Sequence, residues 1–289
     1  MNEYFDSRRV WVDRFLSELR PQAPEPLAGP LRRALDSSGK RVRGVLTIAA
    51  GEAAGAKGEK LVRAAAAMEM IHTSSLILDD LPSMDDAELR RGAATLHREF
   101  GEDLAILSAV ALLNHAYGLL AEAHAECSPR RWPMQVVLQR VVDAVGWNGS
   151  IGGEAVDLHS EGSDLDFDTL EFIHSRKTGA LFVASACVGA MLANVHSAPL
   201  QRIEVFAKNL GLAFQITDDI LDVTATPETL GKDTGKDQQR LTFVKLAGVD
   251  GARKLSEELV DTSLTALDPL GNAARPLRDL AMTVRSRVR

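Results

Sequence analysis

The chain has 289 residues, 45% hydrophobic, 25% charged and only 5% aromatic, which suits a soluble globular protein with one large core or two small ones. Abundant alanine beside few aromatics favours closely packed helices over a β-sandwich. A formal charge of −7 without a basic stripe excludes a nucleic-acid binder, and two cysteines without metal-ligand spacing, Cys127 and Cys187, imply a reducing, cytoplasmic setting.

The first segment, "MNEYFDSRRVWVDRFLSELR", mixes both signs of charge and predicts an N-terminal helix over 1–20; without an apolar run it is not expected to be a secretory leader. Pro21, Pro24, Pro26 and Pro30 then mark a linker over 21–37. From 38 to 289 long proline-free stretches carry helical periodicity, among them "GEKLVRAAAAMEMIHTSSLIL" at 58–78 and "RIEVFAKNLGLAFQITDDILDV" at 202–223. The uncharged run "TGALFVASACVGAMLANV" at 178–195 is short for a membrane span and is interrupted by Ser185, Gly189 and Asn194, so a buried helix is expected there. Loops are expected near 21–37, 82–95, 126–133, 158–166, 196–200 and 225–242. With no strand alternation and no internal repeat, the pattern predicts a single all-α domain over 1–289 of roughly ten helices.

Two acidic clusters stand out. In "LILDDLPSMDDAELRRG" at 76–92 the carboxylates Asp79, Asp80, Asp85, Asp86 and Glu88 crowd together, and Pro82 should end the preceding helix near Asp80. The helix dipole disfavours acids at that end by a few tenths of a kcal/mol, up to ~1. In "QITDDILDV" at 215–223, Gly211, Gln215, Asp218 and Asp222 recur at i, i+4, i+7 and i+11 on one helical face, with Asp219 beside them and no lysine mixed in. Hard divalent cations remove such repulsion, and Mg²⁺ prefers a few carboxylates plus substrate phosphates. Basic bursts complete the picture: Lys40, Arg41 and Arg43 in "SSGKRVRG", Arg90 and Arg91 in "LRRG", Arg176 and Lys177 in "SRKTGA", and Lys232, Lys236 and Arg240 in "GKDTGKDQQR". Arginine forks and lysine point charges are common diphosphate partners. Look-alikes of a β-lactamase, a P-loop and a zinc motif each lack a required element.

With these residues assembled, the sequence resembles the polyprenyl diphosphate synthase family of trans-isoprenyl transferases, most similar to short-chain bacterial geranylgeranyl diphosphate synthases. The resemblance covers about 35–248 and rests on five ordered blocks: "GKRVRG", "DDLPSMDDAELRRG", "RKTGALF", "FQITDDILDV" and "GKDTGKDQQRLTFVKLAG". It implies a helical bundle of the isoprenoid-synthase type around a central cavity. It also implies condensation of isopentenyl diphosphate with dimethylallyl, geranyl or farnesyl diphosphate, with three Mg²⁺ ions and bound diphosphate, by a homodimer without a membrane span. By the same resemblance Asp79, Asp85 and Asp218 are direct metal ligands, and Asp80, Asp219 and Asp222 act directly or through water. Arg90, Lys177, Lys232 and Gln215 would hold the allylic diphosphate; Lys40, Arg43, His72 and Arg91 would hold isopentenyl diphosphate; Arg240 belongs to the same substrate-binding set, and Thr178 would lie beside the reacting carbon. Gly44, Leu78 and Arg240 stand where many members carry Pro, His and Lys, and none of these changes removes a required charge. A terpene cyclase needs neither "GKRVRG" nor a second "DDxxD", and non-catalytic subunits of heteromeric synthases usually lose one of the two motifs that this chain keeps.

Product length is expected to be set on the helix before the first motif, where Met68, His72, Ser75 and Asp79 form one stripe with Ser74 beside it. In the family the fourth and fifth residues before the first aspartate help to form the floor, and farnesyl-forming members carry an aromatic there. Ser75 and Ser74 would leave the shaft open to a twenty-carbon product, with Met70, Ile71 or a residue of the 104–120 helix as the deeper floor. A farnesyl or a longer-chain synthase remains the alternative. Serines late in a helix also simply bond backbone carbonyls.

Overall fold

A computed structural model describes residues 3–160, 167–224 and 242–286. Thirteen α-helices make up most of these residues. They are α1 (Glu3–Glu18), α2 (Ala28–Leu35), α3 (Val42–Ala53), α4 (Val62–Asp79), α5 (Leu96–Phe100), α6 (Glu102–Cys127) and α7 (Met134–Val145). They continue as α8 (Ser150–His159), α9 (Phe167–His174), α10 (Ala180–Leu192), α11 (Ser197–Thr224), α12 (Phe243–Ala266) and α13 (Arg275–Ser286). The only strands among the described residues are β1 (Leu89–Arg90) and β2 (Ala93–Ala94), an antiparallel pair.

α10 and α4 lie at the centre. All residues of α10 from Leu181 to Leu192 are buried except Val183, so the uncharged run forms the buried helix expected of it. In α4, Ala64 to Ile71 are buried without a break, because small side chains let α3 and α6 pack close on different sides. α3 and α10 cross in close contact. A Cβ on Gly189 would come 1.9 Å from the Thr47 carbonyl oxygen, so glycine there is what lets the two backbones touch. The buried Glu69 of α4 accepts the Gly44 amide (2.8 Å) and lies 4.0 Å from the buried Arg41, which also donates to Asp13 of α1 (2.7 Å). Arg41 therefore ties α1, α3 and α4 together.

Three expected loops are shaped differently. The 21–37 linker contains α2: Leu31, Ala34 and Leu35 are buried at helical spacing, and Pro30 stands in the first turn, where a missing N–H costs nothing. The loop at 196–200 is already helix from Ser197, with Pro199 tolerated for the same reason. The 82–95 segment folds back on the end of α4, with Asp85, Asp86 and Ala87 amides donating to carbonyls of Asp79, Leu81 and Asp80 (2.9, 3.0 and 3.2 Å). It then turns sharply between β1 and β2 at Arg91 and Gly92, both at positive φ (+55° and +78°), as tight hairpins of right-handed twist require.

Candidate active site

α4 ends where the sequence predicts, with Asp79 its last residue and Asp80 its C-cap. One helical face carries His72 and Asp79 into opposite surroundings. Around His72, burial first and then Arg43, Arg91, Arg90 and Arg41 hold the imidazole well below its ordinary pKa, hence neutral. Around Asp79, burial first and then Glu154 and Asp85 push the carboxyl up to about 7, partly offset by Lys177 and Arg90. Two turns of one helix thus span a cationic pole and an anionic pole.

The cationic pole is built from two segments, the start of α3 and the β1–β2 hairpin. Arg43 stands in the first turn of α3, its guanidinium carbon 5.3 Å from the centre of the Phe182 ring and its Nε buried without a hydrogen-bond partner. Burial, together with Arg91, lowers its pKa to about 10 against the pull of Glu69 and Asp218. The hairpin turn supplies Arg91, which donates to the Ser38 carbonyl (2.5 Å), and Arg90, which acts on both His72 and Asp79 and donates to Asp80 through Nε (2.8 Å) and Nη2. Lys40 is exposed just before α3. Arg176 is exposed and donates to the Asn148 carbonyl (2.9 Å).

The anionic pole gathers residues from α4, α8 and α11 and from the turn between α9 and α10. Gln215 and the Asp218–Asp219–Asp222 cluster come from one continuous stretch of α11. Lys177 and Thr178 sit in a π-turn over Ser175–Gly179 between α9 and α10, the kind of local bulge that re-aims side chains at functional sites. Thr178 Oγ1 donates to Gln215 Oε1 (2.9 Å), and Gln215 Nε2 donates to Asp219 Oδ1 (3.0 Å). Lys177 Nζ lies between two carboxylates that the sequence reading missed, Glu154 (2.6 Å) and Asp157 (2.7 Å) of α8. Burial works against its charge, but Asp157 and Glu154 outweigh it and raise the ammonium pKa. The available signal was their i, i+3 spacing after Gly152 and Gly153. A Cβ on Gly153 would come 2.6 Å from the Lys177 backbone nitrogen, so glycine brings α8 against the π-turn.

Burial and the neighbouring carboxylates Glu154 and Asp85 make negative charge on Asp79 costly, and Glu154 Oε1 is buried without a hydrogen-bond partner. Among the described residues no three His, Cys, Asp or Glu side chains converge on one point. The donor set therefore fits a hard cation that completes its shell with phosphate oxygens and water, as Mg²⁺ does. Asp79, Asp85, Asp218 and Asp222 are the residues that would hold it; Asp80 and Asp219 are buried (4% and 5% exposed) and face other partners. Lys232, Lys236 and Arg240 lie outside the described residues. Ser74 is buried and donates to the Ala109 carbonyl of α6 (2.8 Å), while Ser75, on the His72 and Asp79 face, donates to the His72 carbonyl (3.0 Å). Met70 and Ile71 are buried in the core.

A family model described as polyprenyl synthetase matches residues 24–263. The chain is 41% identical over 282 residues to the geranylgeranyl diphosphate synthase of Cyanophora paradoxa, covering 96% of this chain and 93% of that one. Its fold matches an FPP/GFPP synthase from Zymomonas mobilis with a TM-score of 0.87 at 31% identity, covering 97% of each chain. It also matches a geranyltransferase from Helicobacter pylori, complexed with magnesium and isoprenyl diphosphate, with a TM-score of 0.84 at 28% identity, over 99% of this chain and 97% of that one.

Proposed function

The chain belongs to the polyprenyl synthetase family and is a chain-elongating trans-prenyltransferase, and on that premise we propose that it condenses isopentenyl diphosphate with allylic diphosphates to make geranylgeranyl diphosphate. The observation that carries the reading is the two-poled face of α4: a neutral His72 among arginines at one end and a cation-seeking Asp79 at the other. Arg43, Arg91 and Lys40 suit the diphosphate of the nucleophilic substrate, whose charge would offset the burial and the neighbouring arginines that lower the Arg43 and Arg91 pKa values. Lys177, Arg90 and Gln215 suit the diphosphate that must leave.

Mg²⁺ bound with that diphosphate supplies Lewis-acid neutralisation of a leaving group that otherwise departs poorly. Asp79, Asp85 and Asp218 would hold the cation, with Asp222 beside them. Lys177, held by Glu154 and Asp157, and Arg90, held by Asp80, place positive charge where the leaving oxygen becomes negative. The Thr178 hydroxyl, oriented by Gln215, would lie beside the carbon that becomes cationic. Water must then be kept from that carbon until the isopentenyl double bond attacks, and the surplus proton leaves to the departed diphosphate.

A homodimer in a reducing, cytoplasmic compartment completes the reading. α6 is apolar enough along its length to span a membrane, yet only 39% of its most apolar window is buried, and Ile106, Leu107 and Val110 lie exposed (42%, 54% and 57%). A second subunit would cover that face. The two cysteines are unpaired thiols, consistent with that compartment.

The test is to incubate the purified protein with Mg²⁺, isopentenyl diphosphate and, in turn, dimethylallyl, geranyl and farnesyl diphosphate, reading product length by mass. Geranylgeraniol after dephosphorylation, from all three primers, is the expected result. A product stopping at farnesol would keep the chemistry and overturn the chain length, and no condensation with any primer would overturn the activity.

A further inference from the structure

Adjacent residues on a helix point about 100° apart, so Asp219 is turned to one side of the face that Asp218 and Asp222 occupy. It is 5% exposed, whereas Asp218 is half-buried and Asp222 exposed. Both of its oxygens are engaged by protein donors: Oδ1 accepts from Gln215 Nε2 (3.0 Å), and Oδ2 accepts from the backbone N–H of Phe243 (3.2 Å). Phe243 opens α12, and the first amides of a helix have no partner within it. A carboxylate there satisfies one of them and also sits at the positive end of the helix dipole. The surroundings fix the contact. Phe243 is fully buried, stacks on the His174 ring with centroids 5.2 Å apart, and packs edge-on against Phe167 at 5.6 Å. His174 Nε2, buried without a hydrogen-bond partner, lies 3.9 Å from Asp219 Oδ2. On the other side Gln215 passes the connection to Thr178 Oγ1 (2.9 Å). The first cluster repeats the division: Asp80, 4% exposed, turns away from Asp79 to receive Arg90.

We propose that Asp219 is a positioning residue and not a metal ligand: it ties the start of α12, through Gln215, to the hydroxyl of Thr178. The inference rests on the reading of the site given above and assigns one of its carboxylates a different task. Removing Asp219 frees the Phe243 amide and leaves the Gln215 side chain without the acceptor that aims its oxygen at Thr178.

The test uses the full-length protein and two readouts that need no turnover. Backbone hydrogen exchange of the 242–250 segment is measured in chelator, and Mn²⁺ binding in the presence of inorganic pyrophosphate is titrated by the loss of the free-ion electron paramagnetic resonance signal. Asp219→Ala should speed exchange at the start of α12 at least tenfold while Mn²⁺ affinity stays within threefold. Asp218→Ala should do the reverse. Unchanged exchange in Asp219→Ala overturns the proposal, and so does a fall in Mn²⁺ affinity beyond tenfold. Should Asp219→Ala fail to fold by circular dichroism, Asp219→Asn, which keeps one acceptor oxygen, is held to the same metal criterion and should show smaller but measurable deprotection. Intact Mn²⁺ affinity in Asp218→Ala would instead overturn the underlying site, whatever Asp219 does.

Discussion

The end of α4 and the last turns of α11 carry the same residue pattern, two adjacent aspartates and a third further on, on two different supports. At α4 the pair closes the helix, where the dipole already disfavours negative charge, and the third aspartate arrives on a loop that folds back through the Asp85 amide. At α11 all three lie on unbroken helix, and the inner member has protein donors of its own. Asp79 meets a further carboxylate, Glu154, from α8. The same letters thus give a loop-borne cluster whose first aspartate is crowded by other carboxylates and a helix-borne cluster whose inner member is satisfied by the fold. Each also sets its first aspartate outward and its second inward, so adjacency in sequence separates two tasks in space.

The sharpest way to break this comparison is to remove the outward members. Asp79→Ala and Asp218→Ala should each lower kcat by about 10³-fold or more, since on the proposed reading each would remove a ligand of the metal that neutralises the leaving group. Incorporation of labelled isopentenyl diphosphate measures this, and near-normal turnover in both variants would remove the metal-clamp reading. The inner members answer to stability instead. Arg90→Ala leaves the buried Asp80 unpaired and should cost about 2–3 kcal/mol, seen as a lower urea midpoint at constant slope. An unchanged midpoint would mean that Asp80 is solvated or metal-bound.

Acidity sharpens the contrast further. Asp79 and Asp219 are each pushed up to about 7, chiefly by burial. In the unfolded chain they titrate near about 4, so the folded state holds the extra protons between these values. This contribution to stability is fully present below about pH 4 and is lost as pH rises through about 7. Metal-free protein should therefore weaken over that window, and Asp79→Asn should flatten the fall and add about 1–2 kcal/mol at pH 8. Denaturant titrations in chelator test it; a slope unaffected by the substitution would show that Asp79 is solvated.

The smallest expected effect separates the two serines above Asp79. Ser75→Phe, on the Asp79 face, should shorten the product by one five-carbon unit. Ser74→Phe, wedged against Ala109, should overpack the α4–α6 contact by about 1–3 kcal/mol. Mass analysis of products and thermal unfolding distinguish them. A shortened product from Ser74→Phe alone would return the floor to that residue.

Sequence by itself determined much of this protein. Helical periodicity and proline placement gave the all-α class, the end of α4 at Asp79 and the buried α10, because these depend on local backbone chemistry and on which faces are apolar. The spacing of Asp218 and Asp222 likewise placed them on one face. Local signals misread α2, where prolines before and within the first turn resemble a linker, and the β1–β2 hairpin, whose positive-φ Arg91 leaves little trace beside its glycine. Only the tertiary structure decided which charges work together. Glu154 and Asp157 are ordinary helix-surface acids until Gly153 lets α8 close on the π-turn and brings Lys177 between them. Arg41 and Arg43, two residues apart, divide between a buried strut and the cationic pole because one faces Asp13 and Glu69 and the other faces Phe182. Burial and long-range pairing are properties of the packed chain, and they made one aspartate of each pair a candidate ligand and the other a support.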